Sequence, residues 1–314
     1  MLTPAAAPAI KAIAAEVITS LASHQPIAPF SSRPGGLTLD DACRVTPLLR
    51  AAFEARGEKI LGRKIGFTNR NIWAQYGVYA PIWGYVTDAT VQELNAPSPS
   101  FRDGPQGRTR NPETNSVPVS GFRVRSLRER PGMTGEISTA RMADFAEPRI
   151  EPEIMFGLKA APAPDMDESA LLDCIEWVSL GYEIVQSLFP SWKFAPADTV
   201  AANALHGALF VGHHRAVAPR KAEWLRELAT FQADLYCNGK LIDRGGGAAV
   251  LDSPLSALRH LVTMLAKDPH NPPIAADEII STGTLTKAMP VAAGEIWTTK
   301  VSGIPFEEIS LRFE

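Results

Sequence analysis

Arg149-Ile150-Glu151-Pro152-Glu153-Ile154-Met155-Phe156-Gly157-Leu158 reads as a β-strand with two acids on one face. Side chains two apart on a strand point the same way, so Glu151 and Glu153 stand side by side. Two carboxylates that close repel, and one stays protonated unless a cation sits between them. Hard divalent cations such as Mg²⁺ and Mn²⁺ prefer oxygen sites of this kind. Glu183, inside the apolar run Gly181-Tyr182-Glu183-Ile184-Val185, is the candidate third ligand, because an acid in such a run needs a partner. An acid pair at this spacing can also lie on a wet sheet face, and a lone Glu in an apolar run can mark an edge. These residues by themselves leave both readings open.

Outward from this strand, β signals dominate to the C-terminus. Leu180–Ser187, Ala208–Val211, Phe231–Cys237, Lys240–Arg244, Ile279–Thr282, Glu295–Val301 and Glu307–Phe313 join Ile150–Leu158 as expected strands. Two helices are expected among them, Glu168–Cys174 and Pro254–Ala266, the second with Leu255, Leu258, Leu261, Val262 and Leu265 on one side. Asn238-Gly239 between two strand runs predicts a hairpin turn. Towards the N-terminus, Pro8 to Ser23 has helical spacing. Thr38 with Asp41 looks like a capping box opening a helix to Gly57, and Lys59 to Thr68 reads as a strand.

From Asn95 to Ala146, Pro, Gly, Ser and Thr crowd the chain, with eight arginines between Arg102 and Arg141 and no lysine. So long a connection without structure suggests an insertion, a lid or an oligomer arm. The expected organisation is a small N-terminal α/β lobe (1–94), the Pro/Gly/Arg-rich insertion (95–146) and an α+β domain on a rolled, mostly antiparallel sheet (147–314).

The chain has 314 residues, enough for a large core, and 45% are hydrophobic, which suits a packed globular protein. A net charge of −3 gives no global basic field to recruit nucleic acid. No apolar run approaches the roughly 20 residues that span a bilayer, and Lys11 and Glu16 argue against a secretory signal. Cys43, Cys174 and Cys237 are scattered and odd in number, as expected of reduced thiols in the cytoplasm.

Several other segments are specific. Gly62-Arg63-Lys64-Ile65-Gly66-Phe67-Thr68 sets a lysine in a short apolar strand. Asp198 to Gly207 reads as a polar loop entering a strand. Gly245-Gly246-Gly247-Ala248-Ala249-Val250-Leu251 lacks the Lys-Ser/Thr of a phosphate loop, which favours a tight, closely packed turn. Ser281-Thr282-Gly283-Thr284 ends a strand in small hydroxylated residues. Taken in order with the acids, these segments resemble the 2-keto-4-pentenoate hydratase family of the fumarylacetoacetate hydrolase superfamily. The resemblance covers the chain apart from the 95–146 insertion.

The resemblance implies a mixed β-roll of that superfamily's C-terminal type behind the small N-terminal lobe, and a homo-oligomer. It also implies Mg²⁺ or Mn²⁺ held by Glu151, Glu153 and Glu183, an active-site Lys64, and a small 2-oxo acid as substrate. The expected activity is hydration of a 2-hydroxy-2,4-dienoate in aromatic catabolism. Desolvation is expected to lower the pKa of Lys64 for proton exchange. Gly283 and Thr284 are candidates to hold the substrate carboxylate. His206 is either an acid–base group or a hydrogen-bonded core histidine, and His213-His214 reads as a loop pair.

The chain departs from the family in two places. Ile82 stands where hydratases usually carry an acid, and Gln186-Ser187-Leu188-Phe189 replaces a segment that tends to hold an arginine. Both changes make the pocket more apolar. Alternatives are a C–C hydrolase of an acylpyruvate-like diketone, a 2-oxo acid decarboxylase of the same superfamily, or a binding protein without turnover.

Overall fold

The computed structural model describes residues 7–95 and 137–314. Most of the expected insertion, residues 96–136, lies outside the described residues. Its two flanks meet, since the Asn95 amide donates to the Ser138 hydroxyl at 2.9 Å.

In chain order the strands are β1 (Ile60–Gly66), β2 (Ile82–Thr87), β3 (Val91–Glu93), β4 (Ser138–Ala140), β5 (Arg149–Leu158), β6 (Ile175–Val185) and β7 (His206–Val211). There follow β8 (Arg215–Ala216), β9 (Gln232–Cys237), β10 (Lys240–Gly246), β11 (Ile279–Thr284), β12 (Met289–Pro290), β13 (Ile296–Ser302) and β14 (Ile309–Phe313). They form two sheets. A nine-stranded sheet runs β2-β1-β11-β5-β6-β7-β3, with β12 beside β5 and β8 beside β6. A five-stranded sheet runs β10-β9-β13-β14-β4. Pairing is mostly antiparallel, with β1–β11, β3–β7 and β4–β14 parallel. The architecture is α+β, as expected. Strands from before residue 94 and after residue 146 share the large sheet, so β1–β3 are part of the surface that carries the acids.

The local signals explain the elements that matter. Thr38 caps helix α2 (Leu39–Ala55), accepting the Asp41 amide at 3.0 Å, and Asp41 accepts the Thr38 hydroxyl in return. Helix α2 packs on α1 (Ala7–Ser23) through Val17, Val45 and Leu49, all fully buried. Asn238 (φ 49°) and Gly239 (φ 78°) make the hairpin turn between β9 and β10. The glycine run serves close backbone packing. A Cβ on Gly245 would lie 1.8 Å from the Leu285 carbonyl oxygen, and one on Gly247 1.9 Å from that of Leu228.

Two expectations are corrected. Four helices, not two, lie beyond residue 147: α4 (Glu168–Cys174), α5 (Pro196–Ala201), α6 (Lys221–Thr230) and α7 (Pro254–Leu265), numbered after the short α3 (Trp73–Tyr76). Helix α6 buries Trp224 and Leu228, and its charged outer face hid that spacing. Helix α5 converts part of the expected polar loop. Pro196 suits a first helical position, and the buried Asp198 carboxylate accepts the Ala195 amide at 2.8 Å and the Ser31 amide at 2.9 Å.

Strand β5 has two characters. Ile150, Ile154, Phe156 and Leu158 face the main core, which also holds Tyr182, Ile184 and Leu258. The other face carries Met155, in a second cluster with Trp177 and Ile279, and then the charged positions.

Candidate metal centre

Glu151 on β5 lies directly opposite Glu183 on β6, and Glu153 lies opposite Gly181. Alternation and register together therefore bring the three acids onto one face. One oxygen from each lies within 4.8 Å of the others. Glu153 and Glu183 are fully buried, and Glu151 is half-buried at the cavity wall. Glu153 Oε2 accepts the Ser281 hydroxyl at 2.5 Å and the Gly283 amide at 2.9 Å. Its Oε1 has no hydrogen-bond partner in the protein. An orphaned buried carboxylate oxygen is costly unless something positive meets it.

Lys64 reaches the same face from β1, which joins β5 through β11. Its Nζ is 3.0 Å from Glu183 Oε2 and donates to the Ala204 carbonyl at 3.0 Å. That carbonyl is presented by an unusual turn. Asn203, Ala204 and Leu205 all have positive φ, at 53°, 51° and 62°. None is glycine, so each costs roughly 1–3 kcal/mol. The Asn203 side chain holds the turn by pairing with the Tyr85 backbone, accepting the amide at 2.8 Å and donating to the carbonyl at 2.9 Å. The turn then delivers His206 to Glu183, with Nδ1 2.8 Å from Oε1. His206 Nε2 meets the Thr90 hydroxyl at 2.9 Å.

The electrostatics follow from burial. Desolvation pushes the Glu151 carboxyl up to about 7, Lys64 pulling against it and Glu183 adding to it. Burial, then Glu183 and Glu151, hold Glu153 well above the usual carboxylate range. Burial alone would lower the Lys64 pKa, but the three glutamates together outweigh it and hold the ammonium above its ordinary value. The expected lowering is therefore reversed, because desolvation was weighed without the carboxylates around it.

A cavity of about 570 Å³, its open mouth included, lies against this face. Lys64, Glu151 and Arg149 line it on the polar side, and Phe67, Ile82, Trp192 and Phe194 on the apolar side. Thr284 also lines it, its hydroxyl bonded to the Thr286 carbonyl at 3.0 Å. The Gly283 amide is committed to Glu153, which takes it away from the substrate role expected for it. His206 is buried behind Glu183 with both ring nitrogens engaged, and it is not among the residues lining the cavity. His214 is stacked on Trp177, with ring centroids 3.8 Å apart, away from the acids. Burial lowers its pKa to about 4.

Sequence reasoning missed Arg149. Two residues before Glu151, it shares that face, and the alternation that placed the acids could have found it. Its guanidinium lies 4.0 Å from the ring centre of Trp192, whose indole nitrogen donates to the Glu147 carbonyl at 3.0 Å.

The donor set fits a hard divalent cation: three carboxylates, two of them with a buried oxygen that accepts no hydrogen bond (Glu153 Oε1 and Glu183 Oε2), and no sulfur or imidazole among them. No other group of three or more potential ligands occurs among the described residues.

No family model matches the chain. A 2-hydroxyhexa-2,4-dienoate hydratase of Comamonas testosteroni is 26% identical over 286 residues, covering 91% of this chain and 90% of that protein. A 2-keto-4-pentenoate hydratase of Paraburkholderia xenovorans (strain LB400) is 24% identical over 286 residues, covering 91% and 88%. Among solved structures, 4-oxalocrotonate decarboxylase from Pseudomonas putida G7, complexed with magnesium and adipate, superposes with a TM-score of 0.78 at 25% identity. The match covers 99% of this chain and all of that one.

Proposed function

We propose, from its similarity to the 2-keto-4-pentenoate hydratases, that the chain is a divalent-metal-dependent hydratase of a 2-hydroxy-2,4-dienoate. The observation that carries the reading is the buried trio of acids beside a cavity that also presents Lys64 and Arg149. Glu151, Glu153 and Glu183 would hold Mg²⁺ or Mn²⁺. When bound, such an ion supplies Lewis-acid polarisation of a 2-oxo acid.

The chain's own residues supply the rest. Lys64, held as an ammonium on the cavity wall, gives a proton to substrate carbon and takes up the enol hydroxyl proton as the dienol becomes the ketone, so it ends in the state in which it began. Arg149, seated over the Trp192 ring, draws an anionic substrate into the cavity and orients it. Phe67, Ile82 and Phe194 pack on the alkene and limit water to what is added. Thr284 is the candidate to contact the substrate carboxylate, by turning its hydroxyl from the Thr286 carbonyl into the cavity.

Decarboxylation is the second reading. Two cations line the cavity, and Arg149 forms no ion pair with a described residue, so a second carboxylate could be accommodated. The solved decarboxylase similar to this chain points the same way. We also take the protein to be cytoplasmic, supported by three unpaired cysteines, and homo-oligomeric with the superfamily's β-roll, supported by the resemblance. No helix among the described residues is long and apolar enough to cross a membrane.

The test is turnover of 2-hydroxypenta-2,4-dienoate, 2-hydroxyhexa-2,4-dienoate and 4-oxalocrotonate with Mg²⁺, with Mn²⁺ and with EDTA. Hydration of a dienoate, abolished by EDTA, is expected. Carbon dioxide release from 4-oxalocrotonate alone would favour the second reading. Turnover unaffected by EDTA would sink the metal role.

A further inference from the structure

The Glu183 carboxylate lies between two buried cationic or polar side chains. Lys64 meets Oε2 and His206 meets Oε1, both within hydrogen-bonding distance. Lys64 opens onto the cavity, and His206 does not. His206 is also unusually well fixed. With Nδ1 donating to Glu183, its Nε2 accepts the Thr90 hydroxyl at 2.9 Å on the far side of the ring. Thr90 is in turn tied to β7 by its own carbonyl, which accepts the Leu209 amide at 2.8 Å. The His206 carbonyl accepts the Gln186 side-chain amide at 3.2 Å, and the Gln186 backbone N–H donates to the Leu205 carbonyl at 2.9 Å. Three consecutive residues in the left-handed region precede it, in the turn that also presents the Ala204 carbonyl to Lys64.

We infer that His206 is a positioning residue for the metal centre: through Nδ1 it fixes which oxygen of Glu183 is free to bind a divalent cation. This rests on the metal reading above and deepens it. A carboxylate on a strand can rotate about its last torsion, which is broad. With Oε1 tethered to a rigid imidazole, Oε2 is the oxygen left on the side of Lys64. Groups that orient a ligand from behind typically contribute 10- to 100-fold in metal affinity. The ring is not a group that touches substrate, so the acid–base role considered for it from the sequence gives way to this one.

Isosteric replacement separates positioning from mere packing. The amide nitrogen of Asn sits close to the place of His Nδ1, whereas that of Gln sits close to Nε2. His206→Asn therefore keeps a donor to Glu183 and loses Thr90. His206→Gln keeps the contact to Thr90 and loses Glu183. Mn²⁺ affinity of the metal-stripped full chain would be measured by calorimetric titration, with circular dichroism and thermal melting to verify folding.

The wild type and His206→Asn are expected to bind Mn²⁺ within about threefold of each other. His206→Gln and His206→Ala are expected to bind roughly 10- to 100-fold more weakly. Equal affinity for all four proteins would overturn the inference while leaving the metal site intact. So would a folded Asn variant as weak as the Gln variant. Failure of the wild type itself to bind Mn²⁺ would remove the metal reading, and this inference with it. Should His206→Ala not fold, the Asn and Gln variants decide the matter.

Discussion

Replacing Glu151 by Gln should make the metal-free protein more stable and the metal-loaded protein less so. The Glu151 carboxyl is held at about 7, against an ordinary value of 4.5. A shift of that size corresponds to about 3 kcal/mol, at 1.36 kcal/mol per pH unit. Glu151 is half-buried at the cavity wall, so solvent screening trims this to about 2–3 kcal/mol. The folded-state value is raised, so the wild type has its full stability below about pH 4.5. It loses this contribution as pH rises from there to about 7, and it carries the whole cost above that. A Gln side chain has nothing to ionise. In EDTA the variant should therefore match the wild type near pH 4.5 and exceed it by about 2–3 kcal/mol at pH 8. A cation binding only the native state adds about 2.7 kcal/mol at 100 times its dissociation constant. The wild type should gain this from Mg²⁺ at pH 8 and the variant very little, which reverses their order. Urea unfolding at the two pH values, with EDTA and with Mg²⁺, measures each quantity. A variant less stable than the wild type in EDTA at pH 8 would refute the electrostatic reasoning. One that gained as much from Mg²⁺ would refute the site.

Three further outcomes are expected. Lys64→Met should lower turnover of the dienoate by about 100-fold or more, the usual scale for a lost proton donor. Its Mn²⁺ affinity should be unchanged or tighter, because a competing cation has gone; unchanged turnover would remove Lys64 from the chemistry. Gly283→Ala should destabilise the protein by about 2–4 kcal/mol through left-handed strain and overpacking. Gly283 has φ 103°, and a Cβ there would lie 2.0 Å from Thr68 Oγ1. Pairing it with Thr68→Ala should recover part of the loss in thermal unfolding, and no recovery would show the clash is not the cause. Arg149→Leu should raise KM about 10-fold with kcat changed little, as expected for an interaction made equally with bound substrate and transition state. Steady-state kinetics would read this, and a fall in kcat alone would place Arg149 elsewhere in the reaction.

The readable parts of the site were those set by local rules. Alternation put Glu151 beside Glu153, and an acid in an apolar run marked Glu183. Their meeting depended on the register of β5 against β6, which involves residues some 30 positions apart in the chain. Lys64 was legible as a residue to watch, but not its charge state. That is decided by three carboxylates brought in by other strands. His206 was harder still. Propensity argues against three non-glycine residues in the left-handed region, so nothing local foretold the turn that aims its ring. The hairpin at Asn238-Gly239 and the Thr38 cap were legible because each is closed within a few residues. The charged surface of α6 outweighed its two core positions in the sequence.

The acids ride on β5 and β6, which lie in the interior of the nine-stranded sheet with hydrogen-bonded neighbours on both sides. Strands so placed are drawn from the part of a protein that opens last, and their amides exchange with solvent only when nearly the whole domain comes apart. The arrangement of the three carboxylates is therefore protected from fraying. A cation would come and go through the cavity mouth while the strands stay closed, so its exchange would be far faster than that of the amides beneath it. Occupancy would slow those deepest amides by the full factor that binding adds to the folding equilibrium. Amides that open by local fluctuation, such as those at the Asn238-Gly239 turn, would keep their own pace. The site and the stability core are thus one physical unit, and any sequence change that loosens β5–β6 pairing would be felt in both.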